Sequence, residues 1–217
     1  MKLFIDSGNI KDIETLTAIG IIDGVTTNPT LLAKEPGDYR ENLKKICQIV
    51  KGPVSGEVTA TDFAGMMTQG RDIATIDQHM IVKVPLTRDG IKACKTLSGE
   101  GIRVNVTLCF SAAQALLAAK AGATFVSPFV GRLDDIAMNG MDLIRDIVEI
   151  YNNYDFATEV LVASCRHPIH VTEAARLGAD IATCPPAVID QLFNHPLTNI
   201  GLDKFLKDWE KTQAVKA

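Results

Sequence analysis

Paired cysteines are missing from this sequence. It has five cysteines, an odd number, and no two of them form a Cys-x-x-Cys pair. This pattern argues against a zinc ribbon and against a disulfide-stapled scaffold. We therefore expect reduced cysteines in or near the core of a cytoplasmic protein. They are Cys47, Cys94, Cys109, Cys165 and Cys184.

Long basic runs and long apolar runs are missing too. The formal net charge is -4 and Lys44-Lys45 is no more than a pair, so no nucleic-acid partner is expected. No apolar stretch approaches the roughly 18 residues of a membrane helix. The start of the chain reaches Asp6 too soon for a signal peptide. With 47% hydrophobic and 22% charged residues, we expect a soluble globular protein with no membrane partner.

The sequence does have a regular alternation of short β-rich runs and longer helical patterns. Strands are predicted at 2–6, 24–27, 54–58, 80–84, 103–107, 124–127, 158–164 and 180–184. Helices are predicted at 38–50, 61–76, 90–98, 111–121, 140–154 and 170–177. This alternation favours a parallel sheet. Eight units without a Gly/Ser linker favour a (β/α)8 barrel, or TIM barrel, forming one domain over residues 1–217.

A further segment follows the eighth unit. Leu202, Phe205, Leu206 and Trp209 recur at the i, i+3, i+4, i+7 spacing of one helix face. We predict an extra C-terminal helix at about 199–212. Its apolar stripe must be buried against some other surface.

Polar residues collect at the C-terminal ends of the predicted strands, where barrel enzymes build their active sites. The side-chain period of two places Asn105 and Thr107 on one face of their strand, and Ile81 and Lys83 on one face of theirs. Solvation alone does not explain so many polar groups at one end. In strand order the candidates are Asp6, Thr26, Asn28, Glu57, Lys83, Asn105, Thr107, Ser127, Arg132, Ser164 and Arg166.

Lys83 lies inside the apolar run Ile81-Val82-Lys83-Val84-Pro85. Burying an unpaired ammonium is costly, and loss of the proton relieves that cost by leaving a neutral amine. A neutral amine in a dry pocket attacks carbonyl carbons, as Schiff-base lysines do. The alternative is a lysine on an edge strand that keeps its charged end in water.

Other candidates also have structural explanations. Asp6 could cap the first helix, Glu57 could be an edge charge, and Asn28-Pro29 is a common turn dipeptide. Arg132 precedes Leu133-Asp134-Asp135, so a surface ion pair would explain it. Arg166, by contrast, precedes a helix start, where backbone amides and a guanidinium favour a phosphate.

His167 and His170 do not predict a metal site. Their spacing lacks a carboxylate partner on the same turn. We therefore expect no metal.

Seven segments together resemble one family. They are Phe4-Ile5-Asp6, Thr26-Thr27-Asn28-Pro29, Gly56-Glu57-Val58, Val82-Lys83-Val84-Pro85, Asn105-Val106-Thr107, Ser127-Pro128-Phe129-Val130-Gly131-Arg132 and Ala163-Ser164-Cys165-Arg166. In this order they resemble the transaldolase family in its short, single-domain form, from residue 1 to about residue 209. Cys165 stands where relatives often carry a larger apolar residue.

The resemblance implies a (β/α)8 barrel with a Schiff base on Lys83 and with Asp6 as the acid/base at the cleaved bond. Glu57 handles protons through a water that Thr107 also holds. The predicted substrate-binding residues are Asn28 and Asn105 at the donor's hydroxyls, Thr26, Ser127 and Phe129 in the same pocket, and Arg132, Ser164 and Arg166 at the phosphate. No metal or organic cofactor is needed. Short members form pentamers or decamers, and their terminal helix can reach a neighbouring subunit.

Three functions remain open. The first is transfer of dihydroxyacetone between sugar phosphates, such as sedoheptulose 7-phosphate and glyceraldehyde 3-phosphate giving erythrose 4-phosphate and fructose 6-phosphate. The second is a fructose-6-phosphate aldolase that releases free dihydroxyacetone. In such relatives glutamine and tyrosine replace the residues found here as Glu57 and Phe129, so the transfer reaction is favoured. The third is a sugar-phosphate sensor or isomerase, which would not need a nucleophilic lysine.

Overall fold

Eight parallel strands form a closed barrel in this computed structural model. It describes residues 1–216, with side chains through residue 213. Each strand pairs with the next one along the chain, and the last pairs with the first. The strands are β1 (Lys2–Asp6), β2 (Gly24–Thr26), β3 (Val54–Glu57), β4 (Met80–Pro85), β5 (Val104–Cys109), β6 (Phe125–Pro128), β7 (Glu159–Val162) and β8 (Ile181–Cys184). The predicted (β/α)8 barrel is confirmed, and the strand ends differ from those predicted by at most two residues.

Helices surround the barrel. They are α1 (Ile10–Thr17), α2 (Pro29–Leu32), α3 (Tyr39–Val50), α4 (Phe63–Ala74), α5 (Arg88–Gly99), α6 (Ala112–Ala121), α7 (Val130–Asp134), α8 (Gly140–Asn153), α9 (Pro168–Leu177), α10 (Pro186–Gln191) and α11 (Pro196–Lys216). Local signals set their ends: the Ser111 hydroxyl accepts from the Gln114 N–H (3.2 Å) at the start of α6. Gly122, in the left-handed region at φ +85°, ends that helix.

An apolar layer fills the barrel interior. Phe4, Ile81, Phe125, Leu161 and Ile181 are each at most 3% exposed and form a cluster of their own. The rings of Phe4 and Phe125 meet edge to face, with centroids 6.1 Å apart. Each such side chain contributes about 1.5–3 kcal/mol by its burial. The layer closes the barrel below the C-terminal ends of the strands.

A second core lies between the strands and the helices. Val82 and Val84 on β4 are fully buried there, in the same cluster as Met66 on α4 and Leu97 on α5. The predicted alternation along β4 is therefore confirmed: valines face the helices and Ile81 faces the barrel. The five cysteines are also buried and unpaired, as expected.

The C-terminal helix, α11, is longer than the predicted 199–212. The expectation of a buried stripe is wrong for the isolated chain, because Leu202, Phe205, Leu206 and Trp209 are 55–71% exposed. The helix extends past the barrel, and its apolar side chains find no cover among the described residues. Despite its length, neither α11 nor any other helix in residues 1–216 is apolar enough to span a bilayer.

Candidate active site

A polar layer lies directly on the apolar layer of the barrel. Moving two residues along a strand returns to the same face. The step from Ile81 therefore reaches Lys83, and the steps from the apolar residues of the other strands reach further inward polar groups. The clearest cases are Asp6 after Phe4, Ser127 after Phe125 and Thr183 after Ile181, all buried or half-buried.

Lys83 occupies the centre of this layer. It is only 5% exposed, and its Nζ lies 3.0 Å from Glu57 Oε2 on β3. It also donates to the Thr27 carbonyl oxygen at 3.2 Å. The edge-strand explanation is wrong because β4 is paired on both sides, with β3 and with β5. The amine is thus buried, accessible only from the barrel mouth, and paired with a carboxylate.

Asp6 is the second carboxyl group near the amine. Burial raises its pKa, while the charge of Lys83 and a hydrogen bond from Thr26 act in the opposite direction. The Thr26 hydroxyl donates to Asp6 Oδ1 at 2.8 Å. Asp6 does not cap the first helix, since the side chain that caps α1 is Asn9.

Asn105 and Ser127 form a hydrogen-bonded row across the layer. The Ser127 hydroxyl donates to Asn105 Oδ1 at 2.8 Å, and Asn105 Nδ2 donates to Ser55 Oγ at 3.3 Å. These bonds fix the orientation of the Asn105 amide. The neighbouring Thr107 hydroxyl oxygen is buried and has no hydrogen-bond partner among the described residues, so it is available for a bound molecule.

A cleft opens over this layer at the barrel mouth. Its inner part encloses about 440 Å³ and its outer part about 850 Å³, the size range of small-molecule sites. Ten of the twelve predicted site residues line it: Asp6, Thr26, Asn28, Glu57, Lys83, Thr107, Ser127, Phe129, Arg132 and Ser164. Asn28 also caps α2 by accepting from Leu31 N at 2.9 Å, so its turn role and its place in the cleft coexist. Asn105 lies behind Ser127, and Arg166 lies outside the lining.

The two arginines differ. Arg132 lines both parts of the cleft, and its guanidinium lies 4.7 Å from the centre of the Phe129 ring. No carboxylate lies within ion-pair distance of it among the side chains that the structure describes. Arg166 instead pairs with Asp135 at 2.7 Å. The surface ion pair considered for Arg132 is therefore made by Arg166.

The backbone near these arginines is tightly constrained. Ser164 has a φ of +60°, a conformation that costs a non-glycine residue about 1–3 kcal/mol. A Cβ on Gly131 would lie 2.3 Å from the Ser164 carbonyl oxygen, so only glycine lets α7 approach the end of β7 this closely. Leu108, also at φ +60°, lies where the β5–β6 register shifts and lines the outer cleft.

The histidines do meet a carboxylate, contrary to the sequence argument. His170 Nε2 lies 2.9 Å from Asp134 Oδ2, and His167 stacks on His170 with ring centroids 3.8 Å apart. Within the described chain, these three residues form the one His/Cys/Asp/Glu group compact enough for a metal. The carboxylate comes from α7, far away in sequence, so spacing could not reveal it.

Hydrogen bonding nevertheless occupies both ring nitrogens of His170. Its Nδ1 accepts from the Arg166 N–H at 3.2 Å, so Nε2 carries the proton and donates to Asp134. Burial and the neighbouring His167 lower the pKa of His170, which favours this neutral form. A metal at Nε2 would require an imidazolate. The geometry therefore fits a bridge between α7 and the Arg166 backbone better than a metal site.

A family model described as transaldolase/fructose-6-phosphate aldolase matches residues 3–216. The chain belongs to that family. A probable transaldolase of Anaeromyxobacter sp. (strain K) is 60% identical over 211 residues, 97% of each chain. Those of Kosmotoga olearia and Nitrosopumilus maritimus are 57% identical over 211 residues and 55% over 215. These matches cover at least 97% of every chain compared.

The resemblance to the transaldolase family is thus confirmed, and the protein is an enzyme of that family. A solved structure of thiamine phosphate pyrophosphorylase from Pyrococcus furiosus superposes with a TM-score of 0.60, covering 86% of each chain at 16% identity. At that identity the likeness concerns the barrel fold alone.

The sequence argument missed two polar residues of the layer, Ser55 and Thr183. Thr183 is 2% exposed and lines the inner cleft. The period of two would have found it, because it follows Ile181 by two positions. For strand eight, the sequence argument considered only Cys184-Pro185-Pro186. Ser55 follows no polar pattern, and its contact with Asn105 spans 50 positions.

Proposed function

We propose that this enzyme is a transaldolase that moves a dihydroxyacetone unit from a ketose phosphate to an aldose phosphate through a Schiff base on Lys83. The observation that carries the proposal is the buried Lys83 amine, 3.0 Å from Glu57 and open to the cleft. Three relatives at 55–60% identity bear the name probable transaldolase, which favours transfer over the aldolase alternative.

Schiff-base formation uses Lys83 and Glu57. The amine must lose its proton before it attacks the ketone carbon, and Glu57 is the base within hydrogen-bond distance. The resulting carbinolamine then loses its hydroxyl group as water and becomes an iminium ion. Glu57 and Thr107 both line the outer cleft. A water held between them relays these protons, which gives the buried Thr107 hydroxyl a partner.

Carbon–carbon cleavage uses Asp6. The carboxylate takes the proton of the hydroxyl group beside the breaking bond. The electron pair of that bond moves into the iminium, giving an enamine on Lys83, and an aldose phosphate leaves. A second aldose phosphate then adds to the enamine and the steps reverse. Burial and the Lys83 charge act oppositely on the pKa of Asp6, which suits a group that both accepts and returns a proton.

Ser127 and the amides Asn28 and Asn105 position the hydroxyl groups of the donor. Asn28 and Ser127 line the cleft directly. Asn105 supports Ser127 and reaches the donor only if the cleft deepens at that point. Thr26 and Phe129 complete the walls.

Arg132 and Ser164 receive the phosphate. Arg132 has no carboxylate partner in the described structure and faces the cleft, so its guanidinium can bind a phosphate in bidentate fashion. Arg166 joins it by exchanging its contact with Asp135 for the ligand.

The setting of the enzyme is also a proposal. Five buried, unpaired thiols fit a single-domain cytoplasmic protein. We further propose a homo-oligomer, a pentamer or decamer, in which the exposed face of α11 packs against a neighbouring subunit. The four exposed apolar side chains of that face are the support, since burying each contributes about 1.5–3 kcal/mol.

Arg132→Ala should lower kcat/KM for glyceraldehyde 3-phosphate as acceptor by roughly 10- to 150-fold, the range expected for a lost charge-assisted hydrogen bond of about 1.5–3 kcal/mol. Arg166→Ala should have a smaller effect because Asp135 already engages that guanidinium. Unphosphorylated glyceraldehyde should be affected little by either change.

The matched control is Arg145→Ala, which removes an exposed arginine paired with Asp142 on α8. Equal losses for glyceraldehyde and its phosphate would mean that neither Arg132 nor Arg166 contacts the phosphate.

Phe129→Tyr should raise release of free dihydroxyacetone from fructose 6-phosphate at least tenfold relative to transfer to erythrose 4-phosphate. The new phenol would supply a proton to the enamine carbon, and a positioned acid contributes roughly 10²–10⁴-fold. Adding Glu57→Gln should increase release further.

Phe110→Tyr is the control, because Phe110 stacks on Phe129 at 5.8 Å but does not line the cleft. If the unmodified enzyme releases dihydroxyacetone as fast as it transfers it, the protein is an aldolase and the transaldolase proposal is wrong.

Removing residues 201–217 should reduce the size of the oligomer measured by sedimentation, because the truncation deletes the exposed apolar face. The double variant Phe205→Ser, Trp209→Ser should do the same, whereas Lys207→Ser on the same helix should not. A full-length chain that sediments at its monomer mass of 23.4 kDa would contradict the oligomer.

A further inference from the structure

Three polar side chains form a row from β8 to β1. The Thr183 and Thr26 hydroxyl oxygens lie 2.6 Å apart, and Thr26 Oγ1 lies 2.8 Å from Asp6 Oδ1. Both threonines are 2% exposed. Bulk water therefore does not compete for these bonds, and each hydroxyl must find its partner inside the row.

Counting protons fixes the direction of the row. Each hydroxyl group has one proton. An ionised Asp6 has none and must accept, so the Thr26 proton points to Asp6. The proton between the two hydroxyls is then that of Thr183, and Thr26 accepts it.

The opposite direction is unfavourable. If Asp6 were protonated at Oδ1 and donated to Thr26, then Thr26 would donate to Thr183. The Thr183 proton would then have no acceptor among the described residues, because Thr26 is the one hydrogen-bond partner found there for its hydroxyl group. A buried donor without a partner costs free energy. The complete row thus matches an ionised Asp6.

We propose that Thr183 is a positioning residue which, by donating a hydrogen bond to Thr26, strengthens the Thr26 bond to Asp6 and holds Asp6 ionised for proton transfer. Hydrogen bonds in series polarise one another, so a donor to Thr26 makes Thr26 a better donor. Assigning proton transfer to Asp6 rests on the proposed function; the direction of the row does not.

Charged groups around Asp6 set the starting point for this effect. Burial raises the pKa of Asp6 most strongly, and the Lys83 charge and the Thr26 bond oppose that rise. The titratable and charged groups facing Asp6 or adjoining those that do are Lys83 on β4, Glu57 on β3, Arg132 on α7, Cys165 after β7 and Cys184 on β8. None of them contacts Thr183 through a hydrogen bond in the described residues, so a Thr183 substitution leaves their charges in place.

The decisive variant is Thr183→Val, which removes the hydroxyl group and keeps the shape of the side chain. Loss of the donor to Thr26 should destabilise the charged form of Asp6 and raise its pKa by roughly 0.2–0.7 pH unit, the share that polarisation adds to a charge-assisted bond. Because cleavage needs ionised Asp6, the acid limb of kcat/KM for transfer should move to higher pH by the same amount.

The pKa is also measured without turnover, by carboxyl ¹³C NMR of aspartate-labelled protein, with Asp6→Asn assigning the resonance. Thr183→Ser keeps a donor and should retain the original pKa. In a Thr26→Val background, Thr183→Val should cause no further shift, because the connection to Asp6 is already broken.

Three outcomes would overturn the proposal. They are an Asp6 pKa unmoved by Thr183→Val, an equal shift in Thr183→Ser, or a full shift in the Thr26→Val background. A change in KM with no change in pKa would mean that Thr183 contacts substrate directly. An enzyme without transfer activity would refute the proposed function, whereas the NMR titration would still decide the role of Thr183.

Discussion

A buried amine between two carboxyl groups is the interaction around which the site is built. Lys83 approaches Glu57 to 3.0 Å, and its charge lowers the pKa of Asp6 against the effect of burial. Removing ions from water is costly, so such a group is stable only when its members compensate one another. The apolar layer below them, led by Phe4 and Ile81, keeps the interior dry. The same low polarity that makes the charges costly makes their proton transfers sensitive to geometry.

The remaining features hold this centre in place. Strained residues, Leu108 and Ser164, occur at the barrel mouth and not in the packed core. Each costs about 1–3 kcal/mol, which the surrounding barrel can sustain because its strands are paired on both sides. Gly131 lets α7 approach β7, and His170 bridges the Arg166 backbone to the end of α7. One neutral histidine therefore links the two segments that carry the arginines.

Much of this architecture is predictable from the sequence because two periods carry the information. The period of two in strands placed Lys83 and Asp6 on the inner face, and strand–helix alternation predicted the barrel. The Arg166–Asp135 pair and the His170 bridge depend on which segments meet in space, and no local pattern records that. The exposed face of α11 shows another limit: a helix stripe indicates that a partner surface exists but not which chain supplies it.

The most direct test of the central claim is to reduce the enzyme with borohydride in the presence of fructose 6-phosphate and to weigh the protein and its peptides. Reduction converts an iminium into a stable amine, so a Schiff base leaves a permanent mass increase. We predict a three-carbon adduct on the peptide containing Lys83, absent from Lys83→Met and from enzyme treated with borohydride alone. No adduct on a folded, active enzyme, or an adduct on another lysine that persists in Lys83→Met, would contradict the account.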